Sequence, residues 1–139
     1  MGLDSAFFKQ TYVHAYERDD VECSISVVVG GVKMEIDPKK VASVREAIVS
    51  MRHCWMIHDW LEKKMELEIN GDIYIHIDVL KDLQNDINAV LEDHSKASEL
   101  IPNEKYDEEY FECLQDIHDD LEKQDLTWKP YVSYVYSEW

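Results

Sequence analysis

Apolar residues recur along the chain with two kinds of spacing. From Phe7 to Tyr16, the side chains of Phe8, Tyr12 and Tyr16 interleave with Lys9, Thr11 and Val13, a β-rich and loosely alternating pattern that predicts a strand. Glu17 to Glu22 is polar and reads as a loop. Beyond it, Ser24–Val29 and Val32–Ile36 flank Gly30-Gly31. Two glycines accept the positive φ of a tight primed turn, so a hairpin is expected there.

The period then changes. Asp37-Pro38 offers a side-chain acceptor and a proline suited to a first helical turn. Val41, Val44, Ile48, Met51, Trp55, His58 and Leu61 follow at steps of three or four, predicting one long helix that ends near Lys64. Lys63 and Lys64 suit a helix C-terminus. Around Asn70-Gly71-Asp72, the runs Glu66–Ile69 and Ile73–Ile77 predict at least one strand, with a second hairpin as the alternative. Asp78 is positioned to cap a second helix through Val79, Leu83, Ile87, Val90 and Leu91. After a polar connection over 93–103, Asn103 is positioned to cap a third helix carrying Tyr106, Tyr110, Leu114, Ile117 and Leu121. The aromatic, alternating tail from Trp128 to Trp139 predicts a last strand. Pro130 near its start suits a sheet edge, and such an edge is able to pair with its own copy in a homodimer. Strands and helices mix without regular βαβ repetition. The expected class is therefore α+β, with three helices packed on one antiparallel sheet with hairpins, in a single domain over 1–139.

Charge adds a second layer. The 139 residues include 14 Lys+Arg and 30 Asp+Glu, for a net charge of −16. Residues 1–66 hold 9 basic and 11 acidic groups, whereas 67–139 hold 5 and 19. Such a chain lacks the basic face needed to displace counterions from nucleic acid, and it disfavours an anionic membrane surface. In the third helix Glu109, Glu112, Asp116, Asp119 and Asp120 recur at helical steps opposite Tyr110, Leu114, Ile117 and Leu121, which places them on one stripe. Asp82, Asp86, Glu92 and Asp93 add charge on the second helix. A solvated face that keeps the protein soluble explains such a stripe. A surface that engages a basic site on another protein explains it as well, since spaced carboxylates can occupy Arg and Lys groups meant for phosphates.

Other chemistry is thinner. Cys23, Cys54 and Cys113 are odd in number, far apart and without a CxxC pair, and read as reduced thiols. Cys54 and His58, four apart, have a spacing at which both can reach one metal, yet they supply only two ligands, and His58 lies on the apolar stripe. His76 and Cys113 are the candidates for a third. The pairs Glu112/Asp116 and Asp116/Asp120 suit acid–base or divalent-metal work in spacing alone. Neither a phosphate-cradling glycine loop nor a nucleophile with a His and acid partner can be identified, so no cofactor is implied, and association is favoured over catalysis. The start of the sequence shows no basic-then-apolar leader, and no run approaches the roughly 20 apolar residues of a membrane span, which predicts an intracellular protein without a membrane partner.

Met1-Gly2-Leu3-Asp4 with Lys9 and Thr11-Tyr12-Val13, Arg52, Ile57-His58-x-Trp60, Tyr106-Asp107-Glu108-Glu109-Tyr110-Phe111, and Tyr134-x-Tyr136-Ser137-x-Trp139 form a set of short motifs spread along the chain. Together they resemble a family of small proteins encoded by phages and prophages, which has no established activity and whose members open MGLDMYL and close YYQSSW. Here Ser5-Ala6 replaces Met-Tyr, and a Gly- and Phe-rich loop before the YDE segment is missing. The resemblance implies expression in the cytoplasm of an infected or lysogenic bacterium. By analogy with other phage accessory proteins, it implies binding to a host or defence protein whose basic site accepts nucleic acid, with the acidic stripe as a nucleic-acid mimic. The partner-binding residues expected are Glu109, Glu112, Asp116, Asp119, Asp120, Asp82 and Asp86. A small-ligand or metal-binding module, or a small enzyme, built on His58/Cys54 or the clustered carboxylates is the alternative. A ligand pocket would then lie among the aromatics of the first strand, the long helix and the tail.

Overall fold

The computed structural model describes residues 2–12, 26–37, 40–126 and 131–139, with backbone alone at Thr11 and Tyr12. The elements run β1 Leu3–Tyr12, β2 Val27–Val29, β3 Val32–Met34, β4 Ser43–Arg52, α1 Trp55–Met65, β5 Ile73–His76, α2 Ile77–Glu92, α3 Ala97–Leu100, α4 Glu108–Glu122 and β6 Tyr131–Glu138, with a 3₁₀ turn at His94–Lys96 before α3. Four strands form one antiparallel sheet in the order β4-β1-β6-β5, and β2 pairs with β3 apart from it. The fold is α+β, with four helices among the described residues rather than three.

The chain divides into two compact units, Gln10–Glu46 and Met1–Lys9 with Ala47–Trp139. In the first, the expected hairpin is present: Val29 pairs with Val32 across Gly30-Gly31, and both glycines take positive φ, 59° and 81°. Its apolar residues Val28, Val29, Val32 and Met34 are exposed. Tyr16 and the rest of the expected strand beyond Tyr12 lie outside the described residues, as do Glu17–Glu22, Pro38 and Pro130.

The second unit holds the core. Directly paired residues of an antiparallel sheet share a face, so the register Phe7↔Tyr134 and Ile73↔Tyr134 sets these three side chains in one row across β1, β6 and β5. Onto that face α1 packs Ile57 and Leu61, α2 packs Leu80, Leu83 and Ile87, and α4 packs Leu114, Ile117 and Leu121, all buried. The termini close on each other. Gly2 and Trp139 exchange backbone hydrogen bonds, the Trp139 indole N–H donates to Asp4 at 3.2 Å, and the Arg52 guanidinium lies 5.4 Å over the indole ring. A Cβ at Gly2 would run into that ring, so the close approach requires glycine.

The sequence pattern misleads at four places. The long helix expected from Asp37 to Lys64 is instead strand β4 followed by α1, which begins only at Trp55. Val41, Val44, Ile48 and Met51 fit helical steps, but the buried side chains of β4 are Ile48, Val49 and Met51, and a stretch rich in valine and isoleucine suits a pleated strand better than a helix. His53 takes a left-handed φ of 59° and Cys54 occupies the N-cap, so the helix cannot extend back through them. The caps of the later helices also differ. His76, not Asp78, caps α2 through Nδ1, which accepts from the Asp78 N–H. Asp107, not Asn103, caps α4 by accepting from the Tyr110 N–H at 3.1 Å. Around Asn70-Gly71-Asp72 the expected strand is present as β5; the alternative hairpin is not, since Ile69 is tied down by its N–H to the Glu62 carboxylate at 2.8 Å and by its carbonyl to the Tyr136 hydroxyl at 2.9 Å. Finally, β6 lies between β1 and β5 rather than at an edge. Val132, Ser133 and Tyr134 are all buried, as befits a strand covered on both faces. Its first half, Tyr131–Tyr134, is paired with β5 and so is not the open edge expected.

Candidate functional site

The two helices that carry the acidic stripe treat their carboxylates differently. On α4, Tyr110, Leu114, Ile117 and Leu121 are buried, whereas Glu109, Glu112, Asp116 and Asp119 are exposed on the other side. The helix places these four at steps of three, four and three, along about 15 Å of axis. Among the described residues none of the four is ion-paired with a lysine or arginine. Asp119 accepts from the Gln115 amide at 2.9 Å, a neutral partner that fixes the carboxylate without cancelling its charge. Asp120 lies to one side, half-exposed and 4.0 Å from the Lys123 ammonium. Glu108 and Glu109 in the first turn meet the positive end of the helix dipole, which favours them there.

On α2 the expected site residues turn inward to a neighbour. Asp82 is 2.9 Å from the Lys64 ammonium of α1, and this hydrogen bond raises the lysine pKa and keeps it charged. Asp86 accepts from the Trp60 indole N–H at 3.0 Å. Both half-buried acids are therefore engaged with α1, Asp82 in an ion pair and Asp86 in a hydrogen bond. Glu92 is exposed. Asp93 accepts from both the hydroxyl and the N–H of Ser95, bonds that hold its carboxyl below the usual range.

The second constellation surrounds His58, which is buried on α1. Nδ1 lies 2.9 Å from the Tyr134 hydroxyl and Nε2 lies 3.6 Å from Glu62. Tyr134 is fully buried, and burial drives its pKa well above the ordinary phenol value; the Ser5 hydroxyl works against this, while Tyr136, Glu62 and Asp59 add to it. Partial burial also raises the neighbouring Asp59 carboxyl, with His58 pulling it down and Glu62 raising it. The rings of Phe7 and Tyr136 complete the group, 5.3 Å from Tyr134 and 4.8 Å from His58. These side chains pack on one another as core.

Cys54 does not stand ready as a metal ligand. It is joined to Cys113 of α4 in a disulfide, with Cα atoms 6.8 Å apart. The expectation of reduced thiols fails for this pair because 59 residues separate the two in sequence, and only the docking of α4 beside the start of α1 brings them together. Cys23 lies outside the described residues. Among the described residues, no three His, Cys, Asp or Glu side chains are grouped to hold a metal ion. Neither His76, bonded to the Asp78 N–H, nor Cys113 joins Cys54 and His58 as a third ligand.

The sequence also conceals the group at the termini. Asp4, Arg52, His53 and Trp139 come from three distant segments, with Arg52 3.6 Å from Asp4 and the His53 ring 5.3 Å from the indole. Except for His53 these are residues of the motifs at the start, middle and end of the chain, and they meet in one place. Among the described residues, no helix is long and apolar enough to cross a membrane. Comparison with family models, with curated proteins and with solved structures returns no match.

Proposed function

We propose that this chain is an accessory protein of phage or prophage origin that acts in the cytoplasm of a bacterial host by association, offering the outer face of α4 to a basic, nucleic-acid-accepting site on a host or defence protein. The observation that carries this reading is the line of Glu109, Glu112, Asp116 and Asp119, exposed and without a Lys or Arg ion pair among the described residues, on a helix whose opposite side is locked in the core. Charge density supports mimicry of one strand. Four carboxylates over about 15 Å compare with the roughly four phosphates that one DNA strand sets along the same axis length. Both strands of a duplex would present about nine. The reading therefore assigns the partner a groove that follows a single backbone, and it drops Asp82 and Asp86 from the contact.

The experiment is capture from bacterial lysate by the wild-type chain and by a variant carrying Glu109→Gln, Glu112→Gln, Asp116→Asn and Asp119→Asn. The wild type is expected to retain a nucleic-acid-handling protein at low salt, to release it as ionic strength rises past the range where exposed charges are screened within roughly 8 Å, and to lose it to added single-stranded DNA. The variant, which keeps the whole apolar seam, is expected to retain at least tenfold less. Equal capture by both chains rejects the proposal.

A further inference from the structure

We propose that the Cys54–Cys113 bond is a reversible thiol–disulfide exchange site, entered at Cys113 and opened by a cellular monothiol of the glutathione class. The two sulfurs sit in unlike surroundings. Cys54 is buried, 4% exposed, at the N-cap of α1, where no side chain caps the first-turn N–H groups. Cys113 is half-buried and lines an open cleft of about 420 Å³. Arg52 and Lys105 line it together with His53, Glu104, Asp107 and Glu109, so the cleft presents charges of both signs.

This asymmetry fixes the direction of exchange. An incoming thiolate reaches the Cys113 sulfur from the cleft, forms a bond to it and displaces the Cys54 sulfur, which leaves with the electron pair of the broken S–S bond. The leaving thiolate is generated at a helix N-terminus, where uncapped first-turn N–H groups and the helix dipole favour negative charge. A second monothiol then attacks the mixed disulfide on its outer sulfur, releasing Cys113 as the leaving thiolate and forming the small-molecule disulfide. Two thiols are oxidised, one protein disulfide is reduced, and the two cysteine thiolates take up protons from water. Cytosolic disulfides, where they occur, are mostly transient, catalytic or redox-sensing, which accords, on the cytoplasmic location proposed above, with a bond reached from one side. Glu109 lines this cleft and also begins the acidic line of α4, so the test below reads the exchange on the free chain, where no partner is bound.

The test exposes the air-oxidised full-length chain to reduced glutathione for short times, quenches with acid, alkylates the free thiols and maps the peptides by mass spectrometry. The expected result is a glutathione adduct on Cys113 with Cys54 alkylated, appearing at a rate that low, non-denaturing urea leaves unchanged. With oxidised glutathione, the Cys54→Ser chain is expected to be modified at Cys113 at least tenfold faster than the Cys113→Ser chain is at Cys54. The wild-type experiment decides if either variant fails to fold. An adduct on Cys54, a rate that climbs with urea as unfolding does, or three alkylatable thiols in the air-oxidised chain overturns the proposal.

Discussion

Leu114→Ala should destabilise the protein by about 2–5 kcal/mol, the range for deleting a fully buried leucine side chain where the surroundings collapse only in part. Leu114 is 0% exposed, one turn from Tyr110 and from Ile117 on the seam that holds α4 to the core. The effect reaches beyond stability. The carboxylates of α4 lie at steps of three and four, where like charges disfavour an isolated helix by a few tenths of a kcal/mol per pair. Docking, not propensity, thus keeps α4 helical and its acids in line. Neutralising Glu112 and Asp116 is expected to do the opposite, leaving stability unchanged or slightly higher. Urea melts of the three chains check both. A Leu114→Ala loss below 1 kcal/mol, or a large loss on neutralisation, contradicts this account of the helix.

Alkaline pH should unfold the protein over the interval in which tyrosines normally ionise. Tyr110 is 2% exposed, and its hydroxyl donates to the Ile101 carbonyl at 2.8 Å. Burial, with a smaller contribution from Tyr106, pushes its pKa up to about 12. Tyr134 is raised further, chiefly by burial. The sign follows from linkage. The unfolded chain loses these protons near the ordinary phenol pKa of about 10 while the folded chain retains them, so the stability that they supply is complete below pH 10 and is lost as pH rises toward 12 and beyond. Across that interval each such tyrosine removes about 1.4 kcal/mol per pH unit. Urea midpoints measured by circular dichroism should be flat from pH 7 to 9 and fall steeply above pH 10, with tyrosinate absorbance appearing together with unfolding. Tyrosinate appearing at its ordinary pH in a chain that stays folded contradicts the burial of both rings.

The parts of the fold that the sequence declares are those in which one local rule acts alone. The Gly30-Gly31 hairpin needs only positive φ, and α2 and α4 each carry a clean apolar stripe with polar residues opposite. The stretch 37–64 hides its structure because steps of three and four survive by coincidence in Ile48, Met51 and Trp55, while the break depends on the backbone of His53, whose identity announces nothing. Side-chain competition decides the caps: Asn103 and Asp107 both have the chemistry, and only the position of Tyr110 selects Asp107. The same division holds at the site. Helical spacing alone puts Glu109, Glu112, Asp116 and Asp119 on one face, as observed. The loss of Asp82 and Asp86 to Lys64 and Trp60, the Cys54–Cys113 bond and the meeting of Asp4, Arg52 and Trp139 all depend on contacts between distant segments, which periodicity does not encode.

On this reading α4 presents a fixed anionic line while Asp82 and Asp86 of α2 are engaged with α1. The most direct measurement is an NMR titration of the isotope-labelled chain with a short arginine-rich peptide at low and high salt. Amide shifts are expected to centre on residues 109–119 at low salt, to spare Asp82 and Asp86, and to vanish when salt is raised. Shifts spread evenly over the acidic residues of the chain, or strongest on α2, would contradict it.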